Sequence, residues 1–147
     1  MRLNQAVILR VILVIVGALI VFVGINTGFG GIQTLGWQVT PGFVSVTNET
    51  TFLVQDNHTR FLGGLFGAVG LFMILASTDL HYYQTALRLV FALIFLGGLA
   101  RFSSMQLNVI FGPNIMLSLI IELILMPVLF FWLPRVLKVY QQPLQTV

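Results

Sequence analysis

Arg60, Arg101 and Glu122 are the residues in this chain with the strongest claim to chemistry, because each borders or interrupts a stretch that is otherwise apolar. A charge placed in hydrocarbon costs roughly 3 kcal/mol or more, so such residues normally pair with one another or face a polar cavity. Two guanidinium forks and one carboxylate allow three arrangements. They can form a structural ion pair that fixes helix packing. They can line a polar pocket in which the arginines receive a carboxylate or phosphate headgroup. Or they can sit at the interface with long side chains reaching water. Asn57, three residues before Arg60, belongs to the same candidate cluster.

Other reactive groups are scarce. Cys is absent, which removes thiol redox chemistry, thiolate metal sites and iron–sulfur clusters together. His58 and His81 are expected on opposite sides of the membrane, so they cannot share a metal. Asp79 with His81 is too small a set to hold one. Asn48-Glu49-Thr50 and Asn57-His58-Thr59 match the glycosylation acceptor pattern, which is common by chance and is discounted. No nucleophile with its base, ligand set or phosphate-cradling loop can be assembled, so neither enzymatic activity nor a cofactor or metal is expected.

The elements that must position these residues are apolar helices. The chain has 147 residues, 58% hydrophobic and 7% charged, with a mean hydropathy of +1.02. Each membrane span needs about 20 apolar residues. Four spans are read, at about 6–25, 60–76, 85–102 and 115–133, giving an all-α integral membrane protein. The expected fold is a single-domain four-transmembrane-helix bundle over 1–147, with a long structured loop between helices 1 and 2. The first run lacks a small-residue cleavage pattern and reads as a retained helix, not a signal peptide. Pro127 is expected to kink the fourth helix. The net charge of +3 comes from scattered Lys and Arg, so nucleic acid is not an expected partner.

Arg2, Arg10, Arg88, Arg135 and Lys138 flank one side of these spans, and Arg60 and Arg101 the other. That asymmetry predicts cytoplasmic termini and puts Arg60, Arg101 and Glu122 in the same outer half. Tyr82, Tyr83, Trp132 and Tyr140 then fit an inner aromatic belt. The connection Asn26 to Thr59 lies outside. Its Gly-rich first half with Trp37 suits an interfacial segment. Thr47 to Asn57 is favoured as a helical extension capped by Thr47 or Asn48, over a strand pair marked by Val44, Val46, Phe52 and Val54. Gly63, Gly64, Gly67 and Gly70 offer a close-packing face on helix 2, and Gly97 with Gly98 does so on helix 3.

Three segments carry a resemblance. Asn57-x-x-Arg60-x-x-Gly63-Gly64, Gly97-Gly98-Leu99-Ala100-Arg101-Phe102-Ser103 and Glu122-Leu123 resemble the motifs of a family of small four-helix bacterial membrane proteins of unknown function, over about residues 5–135. The helical arrangement is similar, more distantly, to the DoxX-like group. The resemblance implies the four-helix fold and a bacterial inner-membrane location, and supplies no activity. Some distant relatives in that group handle thiols or quinones; without Cys this chain cannot copy the thiol chemistry.

Two functions follow as expectations. The first is an accessory or structural subunit that packs through its glycine faces against another membrane protein or a second copy. The second is a binding module in which Arg60 and Arg101, balanced by Glu122, receive an anionic amphiphile such as a lipid, fatty acid or quinone-like molecule. The lipid bilayer is an expected partner in either case, and a bound lipid belongs to the second. A transporter would need a wider pathway than four short spans provide.

Overall fold

A computed structural model describes residues 2–33 and 45–140. The described chain is helical, with no strand. Its elements are α1 (Arg2–Gly30), α2 (Glu49–Ala76), α3 (Gln84–Ala100), a 3-10 turn (Arg101–Ser104), α4 (Leu107–Ile110), α5 (Pro113–Ile120), a π-helical turn (Ile121–Leu125) and α6 (Met126–Tyr140). Four stretches are long and apolar enough to cross a membrane: Gln5–Gly30, Glu49–Ala76, Gln84–Ser104 and Pro113–Lys138. The last joins α5, the π turn and α6. The interfacial segment expected around Trp37 and the side chain of Tyr140 lie outside the described residues.

Contacts divide the chain into two compact units, one of Val11–Thr78 and one of Met1–Arg10 with Asp79–Val147. The first is a helix pair. Asn48 adopts extended backbone and its side chain accepts from the Thr51 N–H at 3.0 Å, so α2 starts at Glu49, eleven residues before Arg60. This is the helical extension with the cap at Asn48; Val46 is irregular, and Phe52 and Val54 lie on the helix, which overturns the strand alternative for those residues. A favourable side-chain cap and the acidic Glu49 in the first turn explain why the helix reaches so far out.

Within that unit α1 and α2 run antiparallel, as the matched glycines show. A methyl built on Gly17 would stand 2.8 Å from the Gly70 carbonyl oxygen, and one on Gly70 would stand 2.6 Å from the Gly17 carbonyl oxygen. At Gly24 and Gly63 it would collide with the backbone of Gly67 and Gly28. Backbone cannot yield as a flexible side chain can, so these positions set the helix separation. Lipid offers little hydrophobic drive for helix association, and close backbone packing takes its place.

The second unit pairs α3 with the fourth spanning stretch. Leu87 and Phe91 of α3 are buried, as are Met126, Leu129, Leu133 and Val136 of α6, whose spacing of three and four marks one helix face. Arg88 stacks its guanidinium 4.3 Å from the centre of the Phe130 ring near the start of α3, while Arg101 meets Glu122 at its end. The two stretches are therefore antiparallel. Pro127 has no N–H to donate, and the register changes just before it: Met126 donates to the Ile121 carbonyl, five residues back. The expected irregularity at Pro127 is thus a π turn placed on its N-terminal side.

Candidate functional site: two charge clasps

The predicted trio resolves into two ion pairs, one in each unit. Arg101 donates through Nε to Glu122 Oε2 at 2.7 Å and through Nη2 to Oε1 at 2.6 Å. Both carboxylate oxygens are engaged, in the fork-to-fork geometry that makes such pairs strong and directional. The sequence left open whether Glu122 closes on arginine or leaves room for a ligand; in this unit it closes on Arg101.

Two local features bring that pair together. Glu122 lies in the π turn, where one extra residue rotates the helix face by about 100° relative to a regular helix. On the facing helix Gly98 sits one turn before Arg101. A methyl there would stand 2.8 Å from Glu122 Cβ, 2.8 Å from Leu123 Cδ2 and 3.2 Å from Glu122 Oε2. A Cβ at Gly98 therefore has no room against the facing helix. Gly97 is exposed and a methyl there meets nothing, because a helix turns about 100° per residue and neighbours cannot share a face.

Arg60 has a different carboxylate, Asp56, one helical turn earlier. Its Nε donates to Asp56 Oδ2 at 2.6 Å. Its Nη1 donates to the Phe29 carbonyl and its Nη2 to the Gly30 carbonyl, the latter at 3.4 Å. Asp56 Oδ1 in turn accepts from the Ile32 N–H at 2.8 Å. The group forms a cap: a cation neutralises the exposed carbonyls at the C-terminus of α1, where the helix dipole favours positive charge. Gly31 makes the cap possible. It takes φ +72°, donates its N–H to the Thr27 carbonyl at 2.8 Å, and leaves no room for a Cβ beside Asp56 Oδ1.

The sequence reading grouped Asn57 with Arg60, and this is corrected. Asn57 is exposed and lines an open surface hollow with Thr50, Leu53, Val54 and His58, whereas its neighbour Asp56 faces the arginine. The reason is the continuous helix: with α2 regular through this region, position i−4 reaches Arg60 and position i−3 does not. Gly63, Gly67 and Gly70 face α1, while Gly64 is exposed and a methyl on it would meet open space. The sequence reading missed Asp56, Gly31 and the glycines of α1 altogether. An acid four residues before an arginine, and Gly17, Gly24 and Gly28 on one helix face, were the available signals.

In both clasps the carboxylate is the more deeply placed partner: side-chain exposure is 13% for Asp56 and 13% for Glu122, against 40% for Arg60 and 37% for Arg101. The buried acid is fully bonded and the half-open guanidinium spreads toward the helix end. Chemically this geometry holds helices; it offers no unpaired base. Among the described residues no group of three or more His, Asp or Glu side chains is placed to hold a metal ion.

Four helices long and apolar enough to cross a membrane mark a multi-pass membrane protein. The chain belongs to the DUF4345 family, described as a domain of unknown function, whose model matches residues 8–133. No curated protein and no solved structure matches it.

Proposed function

We propose that this protein is a non-enzymatic membrane subunit that serves an assembly by packing rather than by chemistry. The observation that carries this reading is that the two largely shielded carboxylates, Asp56 and Glu122, are each bonded to an arginine of their own unit, which leaves these polar groups as structural joints. What faces outward is apolar: Phe61, Leu62, Leu71, Leu96 and Leu117 are each more than half exposed, a surface suited to lipid or to another membrane helix. The partner is a larger membrane protein or a second copy of the chain.

The same reading takes a bacterial inner membrane from the family resemblance and sets both termini in the cytoplasm on the strength of the Lys and Arg asymmetry between the two sides. Because the chain has no Cys, single cysteines introduced at Asp79 and at Gln106 give a clean labelling test. Asp79 is expected to be shielded from an impermeant thiol reagent in intact cells and Gln106 to react; the reverse pattern would invert the topology.

Native mass spectrometry of the protein released gently from its own membrane tests the subunit reading. A stoichiometric second polypeptide, or a defined homo-oligomer, is expected. A bare monomer across mild detergents would sink it.

A further inference from the structure

A second feature of the α3–α6 unit has no role in the clasps. Phe91, Ala92 and Phe95 of α3 and Pro127, Phe130 and Phe131 of α6 line a cavity of about 240 Å³ that opens outward. Its walls are almost wholly apolar. Arg88 lies on the same face of α3 as Phe91, Ala92 and Phe95, at spacings of three, four and seven residues. Its guanidinium rests on Phe130, a wall of the cavity, and its Nε is buried without a hydrogen-bond partner. The enclosed Nε is itself out of a ligand's reach, but among the described residues no carboxylate is bonded to this guanidinium, so an anion presented at its outer Nη groups would be favoured.

We propose that this groove is a binding site for an acidic phospholipid, with one acyl chain between α3 and α6 and the phosphate on Arg88. Depth supports the fit. Arg88 lies four residues inside the start of the third spanning stretch at Gln84, about 6 Å along the axis, within reach of a headgroup for a side chain that extends toward the interface. The groove residues of α3 continue inward from it. The cavity is below the range of about 300–1,000 Å³ that encloses compact ligands, and its open, phenylalanine-lined shape suits a segment of a single chain. Charge complementarity supports an anionic headgroup: exposed Arg135 and Lys138 lie toward the same end of α6, and each basic residue near a membrane surface favours acidic lipid. Asp79, an acid of the turn before α3, accepts at Oδ1 from the backbone N–H groups of His81 and Tyr82 at 3.1 and 3.0 Å, which fixes that oxygen within its own turn.

The test is native mass spectrometry of the full chain from nanodiscs containing equal phosphatidylglycerol and phosphatidylcholine. The wild type is expected to retain one phosphatidylglycerol in preference to phosphatidylcholine. Arg88→Gln should weaken that retention about tenfold, since a charge-assisted bond is lost, and Arg88→Lys should restore part of it. Ala92→Trp, which fills the groove without touching charge, should abolish retention of both lipids. Circular dichroism on each variant reports folding. Should Arg88→Gln fail to fold, the wild-type preference and the Ala92→Trp result decide the matter. Equal retention of the two lipids by the wild type, or unchanged phosphatidylglycerol retention in Arg88→Gln and Ala92→Trp, overturns the proposal.

Discussion

The two clasps use the same chemical pair in different ways. Arg101 and Glu122 come from facing helices and join them directly, through two parallel bonds. Asp56 and Arg60 come from one helix and join it to another only through backbone: the arginine bonds carbonyls at the end of α1, and the aspartate bonds an amide just past it. In the first case each partner depends wholly on the other. In the second, the load is spread over one acid, one cation, two carbonyls and an amide, so loss of one member leaves others bonded. A charge pair is fragile when it is the joint itself and tolerant when it completes a helix cap.

The largest effect therefore belongs to Glu122→Gln. The amide keeps the shape but leaves the Arg101 guanidinium without its counter-charge. Removing one member of a buried pair costs about 3–5 kcal/mol. With Arg101 37% exposed, a loss of about 2–3 kcal/mol is the expected result, read as a lowered midpoint in an SDS titration of helix content. Asp56→Asn, by contrast, should cost about 1 kcal/mol, since Arg60 retains its carbonyl acceptors. Equal losses for the two substitutions would break the distinction between joint and cap.

Gly31→Ala ranks next, and it probes the cap through its backbone. A residue with a Cβ is strained by about 1–2 kcal/mol at φ +72°, and the same Cβ would displace Asp56 Oδ1. A total loss of about 2 kcal/mol is expected, with amide protection falling first at the end of α1 in hydrogen exchange. Loss of protection around Arg101 instead would show that the two clasps are energetically linked.

These contrasts bear on what could be read from residues alone. The four apolar stretches and the helical entry to α2 were legible, because hydropathy and a capping residue are local signals. Glu122 with an arginine was legible as a pairing by depth, since both fall near the same end of their helices. Which arginine was not. The extension Thr47 to Asn57 reads as helix and already puts Asp56 one turn before Arg60, but Asp56 lies outside the apolar stretches in which a charge calls for a partner, so the i, i+4 pair goes unread. The α1 glycines were passed over because their close approach is a property of two helices taken together. The π turn follows from a missing N–H at Pro127, yet proline in a helix fits a kink equally well, and only the backbone register decides between them.

The smallest intramolecular effect is also the one that bears on partners. Each glycine pair splits: Gly63 and Gly98 face a neighbouring helix, while Gly64 and Gly97 point a future Cβ into open space. Gly98→Ala should cost about 1 kcal/mol by overpacking against Glu122 and Leu123. Gly64→Ala and Gly97→Ala should leave the isolated protein unchanged or stabilise it by up to about 1 kcal/mol, since alanine favours helix. If the outward glycines serve a partner, the same two substitutions reduce the amount of co-purified polypeptide while the SDS midpoint holds. A fall in the midpoint itself would mean that Gly64 and Gly97 pack inside the molecule and that the outward half of each pair is not free for assembly.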